Sequence, residues 1–128
     1  MINITIGGKE RTLRFNQYAM EVWVKNTDFE APETSSVYAV FFAGLIADYY
    51  VKRVEPDFSF ADVVGWVDEL SETDLPTIEK VAKEFAATTT YQTWLKNFSE
   101  RLRSTFEQEA NKKKVKHTKN SSGLKSTN

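Results

Sequence analysis

The segment VYAVFFAGLIA, residues Val37–Ala47, decides the fold because it is apolar almost without interruption. A helix that is apolar on nearly every side must be covered by other elements. We therefore predict a central helix that is capped by Ser35 or Ser36 and runs to about Val54. Gly44 lies in its middle and predicts a close approach by another element, because glycine has no side chain to keep a neighbour away. The apolar run is only about half of the roughly 20 residues that a membrane span requires.

The chain before this helix has the pattern of a β-hairpin. Ile2, Ile4 and Ile6 alternate with Asn and Thr, which is typical of a half-buried strand. Gly7-Gly8 then separates this strand from a second short stretch, Arg11–Phe15. An isolated hairpin is marginally stable, so we expect its apolar face to lie on the helices.

Two registers of this hairpin are consistent with the sequence. A loop over residues 7–10 places Ile4 opposite Leu13, whereas a two-residue Gly7-Gly8 turn places Ile4 opposite Arg11. We favour the longer loop, because register usually follows the apolar face and this loop keeps apolar residues opposite each other.

Capping residues and helical spacing predict three further helices in the body. Asn16 caps the first, which precedes an acidic loop at Thr27–Thr34, and Ser59 begins a capping box for a helix over Phe60–Leu70. Pro76 lies in the first turn of the last of the three, where its missing N–H matters little. The residues predicted to face the core share apolar type and helical spacing: Ala19, Val22, Trp23, Phe60, Val63, Val64, Val67, Ile78, Val81, Ala82 and Phe85.

The end of the chain contains the most regular apolar spacing. The run Thr88–Thr90 consists of poor helix formers and predicts a break or kink. A strongly amphipathic helix follows, and we predict that its aromatic and leucine stripe binds a partner: Tyr91, Trp94, Leu95, Phe98, Leu102 and Phe106. The same stripe also fits ordinary packing of a last helix on its own body. Residues 111–128 are rich in Lys, Asn, Ser and Thr and are predicted to be disordered.

The fold class predicted is mainly α, with an N-terminal β-hairpin followed by about five helices and a disordered C-terminal tail. We divide the chain into a hairpin and helical body at 1–90, an amphipathic helix at 91–110 and a basic tail at 111–128. Charge follows this division. Residues 1–110 carry all 18 acidic residues against 11 Lys and Arg, and the last 18 residues carry a charge of +6.

Composition argues against several classes of function. An acidic body disfavours nucleic-acid binding, which requires a basic face, and the short basic tail is more typical of a solvated segment. The single histidine, His117, lies in the predicted tail, so no Ser–His dyad can form, and the absence of cysteine removes thiolate chemistry. A metal site would have to be all carboxylate, and the spacing of the densest such cluster follows no calcium loop: Asp68, Glu69, Glu72 and Asp74. We therefore predict no enzymatic activity, no metal, no cofactor and no small-molecule ligand.

The order of these features resembles the tail assembly chaperones of long-tailed bacteriophages. The resemblance rests on the hairpin Ile4–Glu10 closed by Leu13-Arg14-Phe15 and on the helix with Tyr18, Ala19 and Trp23. It continues through Gly44-Leu45 in the apolar helix and the acidic helix pair, and covers about residues 2–90: Ile4–Glu10, Leu13–Phe15, Tyr18, Ala19, Trp23, Gly44, Leu45, Phe60–Leu70 and Leu75–Phe85.

The resemblance implies a non-enzymatic protein that binds the tape-measure protein, keeps its apolar helices soluble and assists assembly of the tail tube. It also implies self-association, absence from the finished virion and location in the cytoplasm of the host cell. Many members have a longer form made by ribosomal frameshifting, for which Lys112–Lys114 would suit A-rich codons. The alternatives are a structural tail or connector subunit retained in the virion, and a small regulatory binding protein with a basic tail.

Overall fold

The computed structural model describes the backbone of residues 1–123 and the side chains of residues 1–32 and 35–110. Two antiparallel strands are followed by five helices, which confirms the predicted fold class. The elements in chain order are β1 Ile2–Ile6, β2 Lys9–Leu13, α1 Gln17–Asn26, α2 Pro32–Lys52, α3 Phe60–Thr73, α4 Leu75–Ala86 and α5 Thr89–Gly123.

The predicted register of the hairpin was wrong. β1 and β2 are joined by the two-residue Gly7-Gly8 turn, and Ile4 lies opposite Arg11, with Ile2 opposite Leu13. Both turn residues have positive φ, 63° and 81°, which only glycine adopts readily and which matches the twist of a tight hairpin. Turn geometry therefore outweighed the apolar pattern, and Arg11 occupies a buried position opposite Ile4.

The prediction for Gly44 was correct, and the element that approaches it is the end of the hairpin. The backbone N–H of Arg14 donates to the carbonyl oxygen of Gly44 at 3.0 Å. A Cβ atom on Gly44 would lie 2.7 Å from the Phe15 ring and 2.9 Å from the Leu13 Cβ, closer than packed side chains allow. The hairpin thus lies on the middle of α2, with Leu13 fully buried between them.

The bounds of α2 differ from those predicted at both ends. The helix begins at Pro32, which suits a first helical position because its φ is already fixed. Ser35, predicted as a cap, lies inside the first turn, where its hydroxyl accepts from the N–H of Asp28 at 2.9 Å. The helix ends at Lys52 because Arg53 takes the left-handed conformation with φ 58°.

The other caps and inner faces follow the sequence closely. Asn16 accepts from the N–H of Ala19 at 2.9 Å, and Ser59 with Asp62 forms both bonds of a capping box. Thr88 lies at the predicted break, and its hydroxyl accepts from the N–H of Tyr91 at 3.1 Å. Of the residues predicted to face the core, most are buried and three are half-buried; the half-buried ones are Phe60, Val64 and Ala82.

The chain forms two compact units, Met1–Gln92 and Thr93–Asn128. The first contains the hairpin and four helices around a core centred on α2. The second contains the greater part of α5. The prediction of disorder for residues 111–128 falls on residues whose side chains lie outside the described part, and residues 124–128 lie outside the described residues altogether. No helix in the described part of the chain is long and apolar enough to cross a membrane.

Candidate protein-binding site

The stripe predicted on the last helix is divided by the structure. Tyr91 belongs to the first unit, where its ring lies 5.0 Å from that of Phe85 and 5.7 Å from that of Trp23. Tyr91 therefore contributes to the core of the body. The apolar spacing of α5 continues unchanged across the boundary between the units because this one helix supplies residues to both, beginning with Tyr91 in the first.

The remaining five stripe residues lie in the second unit. Trp94 and Phe98, one helical turn apart, are half-buried, and their rings stack with centroids 4.9 Å apart and planes at 11°. Leu95, Leu102 and Phe106 expose 37%, 43% and 68% of their surface. Because residues four and seven apart lie on one face of a helix, Leu95, Leu102 and Phe106 form an exposed apolar stripe on one face of α5.

Charged residues flank this stripe on both sides. The guanidinium of Arg101 lies 5.9 Å from the centre of the Phe98 ring, within the range of a cation–π contact. Arg103 and Glu107, both exposed, border Leu102 and Phe106. An apolar strip with a charged margin is the usual anatomy of a surface that binds another protein.

Two of the carboxylates near the α3–α4 junction, considered in the sequence for a metal, have structural partners. Asp68 accepts from the hydroxyl of Tyr38 at 2.6 Å, and this hydrogen bond raises the pKa of Tyr38. Asp74 caps α4, accepting from the N–H and the hydroxyl of Thr77. Among the described residues, no group of three or more His, Cys, Asp or Glu could hold a metal ion.

A polar network around Arg11 was missed by the sequence analysis. Only 3% of this side chain is exposed. Its Nε donates to the carbonyl oxygen of Ile6 at 2.9 Å, and its Nη1 donates to the Tyr49 hydroxyl and to Asp57, both at 2.8 Å. The guanidinium also lies 4.6 Å from the Trp66 ring centre and 5.3 Å from that of Phe58. The signal was the Gly7-Gly8 turn, which fixes Arg11 on the inner face.

Asp57 is the acid of this network, and its pKa is strongly lowered. Hydrogen bonds from Arg11, and to a lesser extent from Lys9, hold the pKa of Asp57 well below its usual range. Since each of the three guanidinium nitrogens of Arg11 donates to an acceptor within the fold, we interpret the network as a clamp. It joins the hairpin to α2 and to the segment before α3, rather than offering free groups to a ligand.

The lowered pKa of Asp57 predicts how stability depends on pH. The ionised carboxylate is favoured by the fold, so its contribution is present above about pH 4, the ordinary value, and is lost as the pH falls towards the folded pKa. We expect Asp57→Asn to destabilise the protein at pH 7 and to differ less from wild type at pH 3 in urea unfolding. Glu55→Gln is the control, because Glu55 is exposed and forms no ion pair among the described side chains. An equal loss for both variants at pH 7 would contradict the clamp.

Comparison of this chain with protein-family models, with curated proteins and with solved structures gave no match in any of the three.

Proposed function

We propose that this protein is a non-enzymatic assembly chaperone that binds an apolar helical client through the exposed stripe of α5. The observation that carries the proposal is the exposure of Leu95, Leu102 and Phe106 on one face of α5, in a unit separate from the body. Exposed leucine and phenylalanine side chains at helical spacing are the usual anchors of helix-in-groove recognition. Removing large apolar side chains such as these from water also gives a large favourable free energy, so a partner that covers them is stabilised on binding.

The client proposed is the tape-measure protein of a long-tailed bacteriophage, with tail-tube subunits recruited to the same complex. This more specific form rests on the order of hairpin, apolar helix and acidic helix pair in the sequence. The charge distribution agrees with it, because an acidic body of about −7 keeps a complex with a long apolar helix in solution. A protein acting in this way would work in the cytoplasm of the host and would leave before the virion is complete.

The test is co-expression of the full chain with a tape-measure protein fragment that aggregates when expressed alone. Leu102→Gln combined with Phe106→Gln is expected to weaken binding about 30-fold or more, which corresponds to removing a hot spot of about 2 kcal/mol. The fraction of fragment that stays in solution and the affinity by titration calorimetry are the measurements.

The matched control also introduces two glutamines, but on the opposite face of α5. Asn97→Gln with Ser104→Gln changes two exposed positions roughly half a helical turn away from the stripe. Equal binding by both double variants would reject the stripe as the binding site. Detection of the protein in purified virions would instead favour a structural subunit.

A further inference from the structure

The first strand of the hairpin has an open edge. A two-residue turn makes Ile6 and Lys9 a hydrogen-bonded pair, so by alternation the N–H and C=O groups of Asn3 and Thr5 point away from β2. The contact between Arg14 and Gly44 fits the same alternation, since the N–H of Arg14 points away from β1 and reaches α2. The outer edge of β2 therefore faces α2, whereas the outer edge of β1 does not.

The outward backbone groups of β1 have no partner in the described part of the chain. Neither Asn3 nor Thr5 forms a backbone hydrogen bond other than within the hairpin, as far as residues 1–110 show, and both residues are exposed. Native proteins usually protect such an edge with lysine, proline or a bulge. β1 contains no lysine or proline and pairs with β2 without a bulge. The charged residues of the hairpin strands all lie on β2.

We propose that β1 pairs with β1 of a second copy of this chain, antiparallel, about a two-fold axis at Ile4. In this register Asn3 lies opposite Thr5 of the second copy, and Thr5 lies opposite its Asn3. Both are hydrogen-bonded pairs, and each exchanges two N–H···O bonds. Shifting the register by two residues in either direction leaves only one such pair. The strand is therefore complementary to itself in one register.

The side chains of β1 fit the same axis. Ile2 and Ile6 are buried, whereas Ile4 between them is only half-buried. About the proposed axis the two Ile4 residues face each other as a non-hydrogen-bonded pair, the closer kind, with Cβ atoms about 4.5–5.5 Å apart. Each covers the other's remaining apolar surface. On the outer face Asn3 meets Thr5 of the second copy, and no charges oppose each other.

This inference concerns the body and does not rest on the proposed function of α5. It is tested on the full chain by amide hydrogen exchange, followed by NMR at two protein concentrations. We expect the amides of Asn3 and Thr5 to become slower to exchange as the concentration rises, whereas outward-facing amides of other exposed segments do not change. This measurement needs no substitution. Protection that is independent of concentration, or that appears only when a client is added, would overturn the proposal.

A matched pair of variants tests the same contact. Thr5→Pro removes an outward N–H that makes no bond to β2, so the hairpin is retained, as on other edge strands. Thr5→Val keeps the N–H and changes only the side chain. We expect Thr5→Pro to raise the dissociation constant of the dimer by at least about tenfold in sedimentation equilibrium, and Thr5→Val to leave it near the wild-type value. Equal dissociation constants for the two folded variants would overturn the proposal.

Discussion

Replacing Arg11 by alanine is expected to lower the free energy of unfolding by about 2–4 kcal/mol. The change deletes a side chain that is 3% exposed and leaves a cavity beside the rings of Trp66 and Phe58. It also removes the Nε bond to the carbonyl oxygen of Ile6, which then accepts only from the N–H of Lys9 within the hairpin. Asp57 loses its main partner but stays about half exposed, so water can solvate it and this part of the loss is small.

Lys9→Ala is the matched control for this prediction, because Lys9 pairs with the same carboxylate at 3.0 Å but is 54% exposed. Exposed ion pairs contribute about 0–1 kcal/mol, so its loss should stay within that range. Arg11→Met keeps most of the buried volume without the donors, and we expect a loss between those of the other two variants. Urea unfolding followed by tryptophan fluorescence measures all three. A loss for Arg11→Ala no larger than that for Lys9→Ala would show that burial of the guanidinium contributes nothing.

The fold followed from the sequence wherever local chemistry and apolar pattern agreed. Asn16 and Ser59 cap the helices that follow them, and the apolar α2 lies at the centre of the body. These features depend on neighbouring residues in the chain, which a sequence displays directly. The start of α2 was mispredicted for an equally local reason. The sequence offers Pro32, Ser35 and Ser36 as possible starts, and the helix begins at the proline, whose φ is already fixed.

The register of the hairpin and the clamp of Arg11 could not be derived in the same way. Placing Arg11 on the inner face is costly unless its donors find acceptors, and two of those acceptors come from distant parts of the chain. Tyr49 lies 38 residues away and Asp57 lies 46 residues away. Apolar pattern alone predicts that a buried arginine is unfavourable, whereas the folded chain supplies an acceptor for each of the three guanidinium nitrogens.

The candidate site was predictable as an amphipathic helix, but the sequence did not show that its residues are divided between two units. The spacing of the stripe correctly indicated an amphipathic helix, because periodicity depends on one helix only. That Tyr91 packs on Trp23 and Phe85 while Leu102 and Phe106 stay exposed depends on where the body ends. Nothing in the spacing marks this point, since the apolar repeat runs through it unchanged.

Replacing Gly44 by alanine is expected to lower the free energy of unfolding by about 1–3 kcal/mol, although alanine is the better helix former. The new Cβ would lie 2.7 Å from the Phe15 ring and 2.9 Å from the Leu13 Cβ. Leu13 cannot move away easily, because it is fully buried and the next residue is held to Gly44 by a backbone hydrogen bond. The hairpin must therefore shift as a unit, and the packing of β2 on α2 is weakened.

Gly65→Ala provides the control, because Gly65 also lies inside a helix but a Cβ there would meet nothing within 4 Å. With no close neighbour, only the backbone effect remains, and it should raise the free energy of unfolding by about 0.5–1 kcal/mol. The two variants make the same chemical change and are predicted to act in opposite directions, which thermal or urea unfolding resolves readily. If both stabilise the protein, the hairpin does not press on α2 at Gly44. The contact that positions β1, and with it the edge proposed to pair with a second copy, would then have to be sought elsewhere.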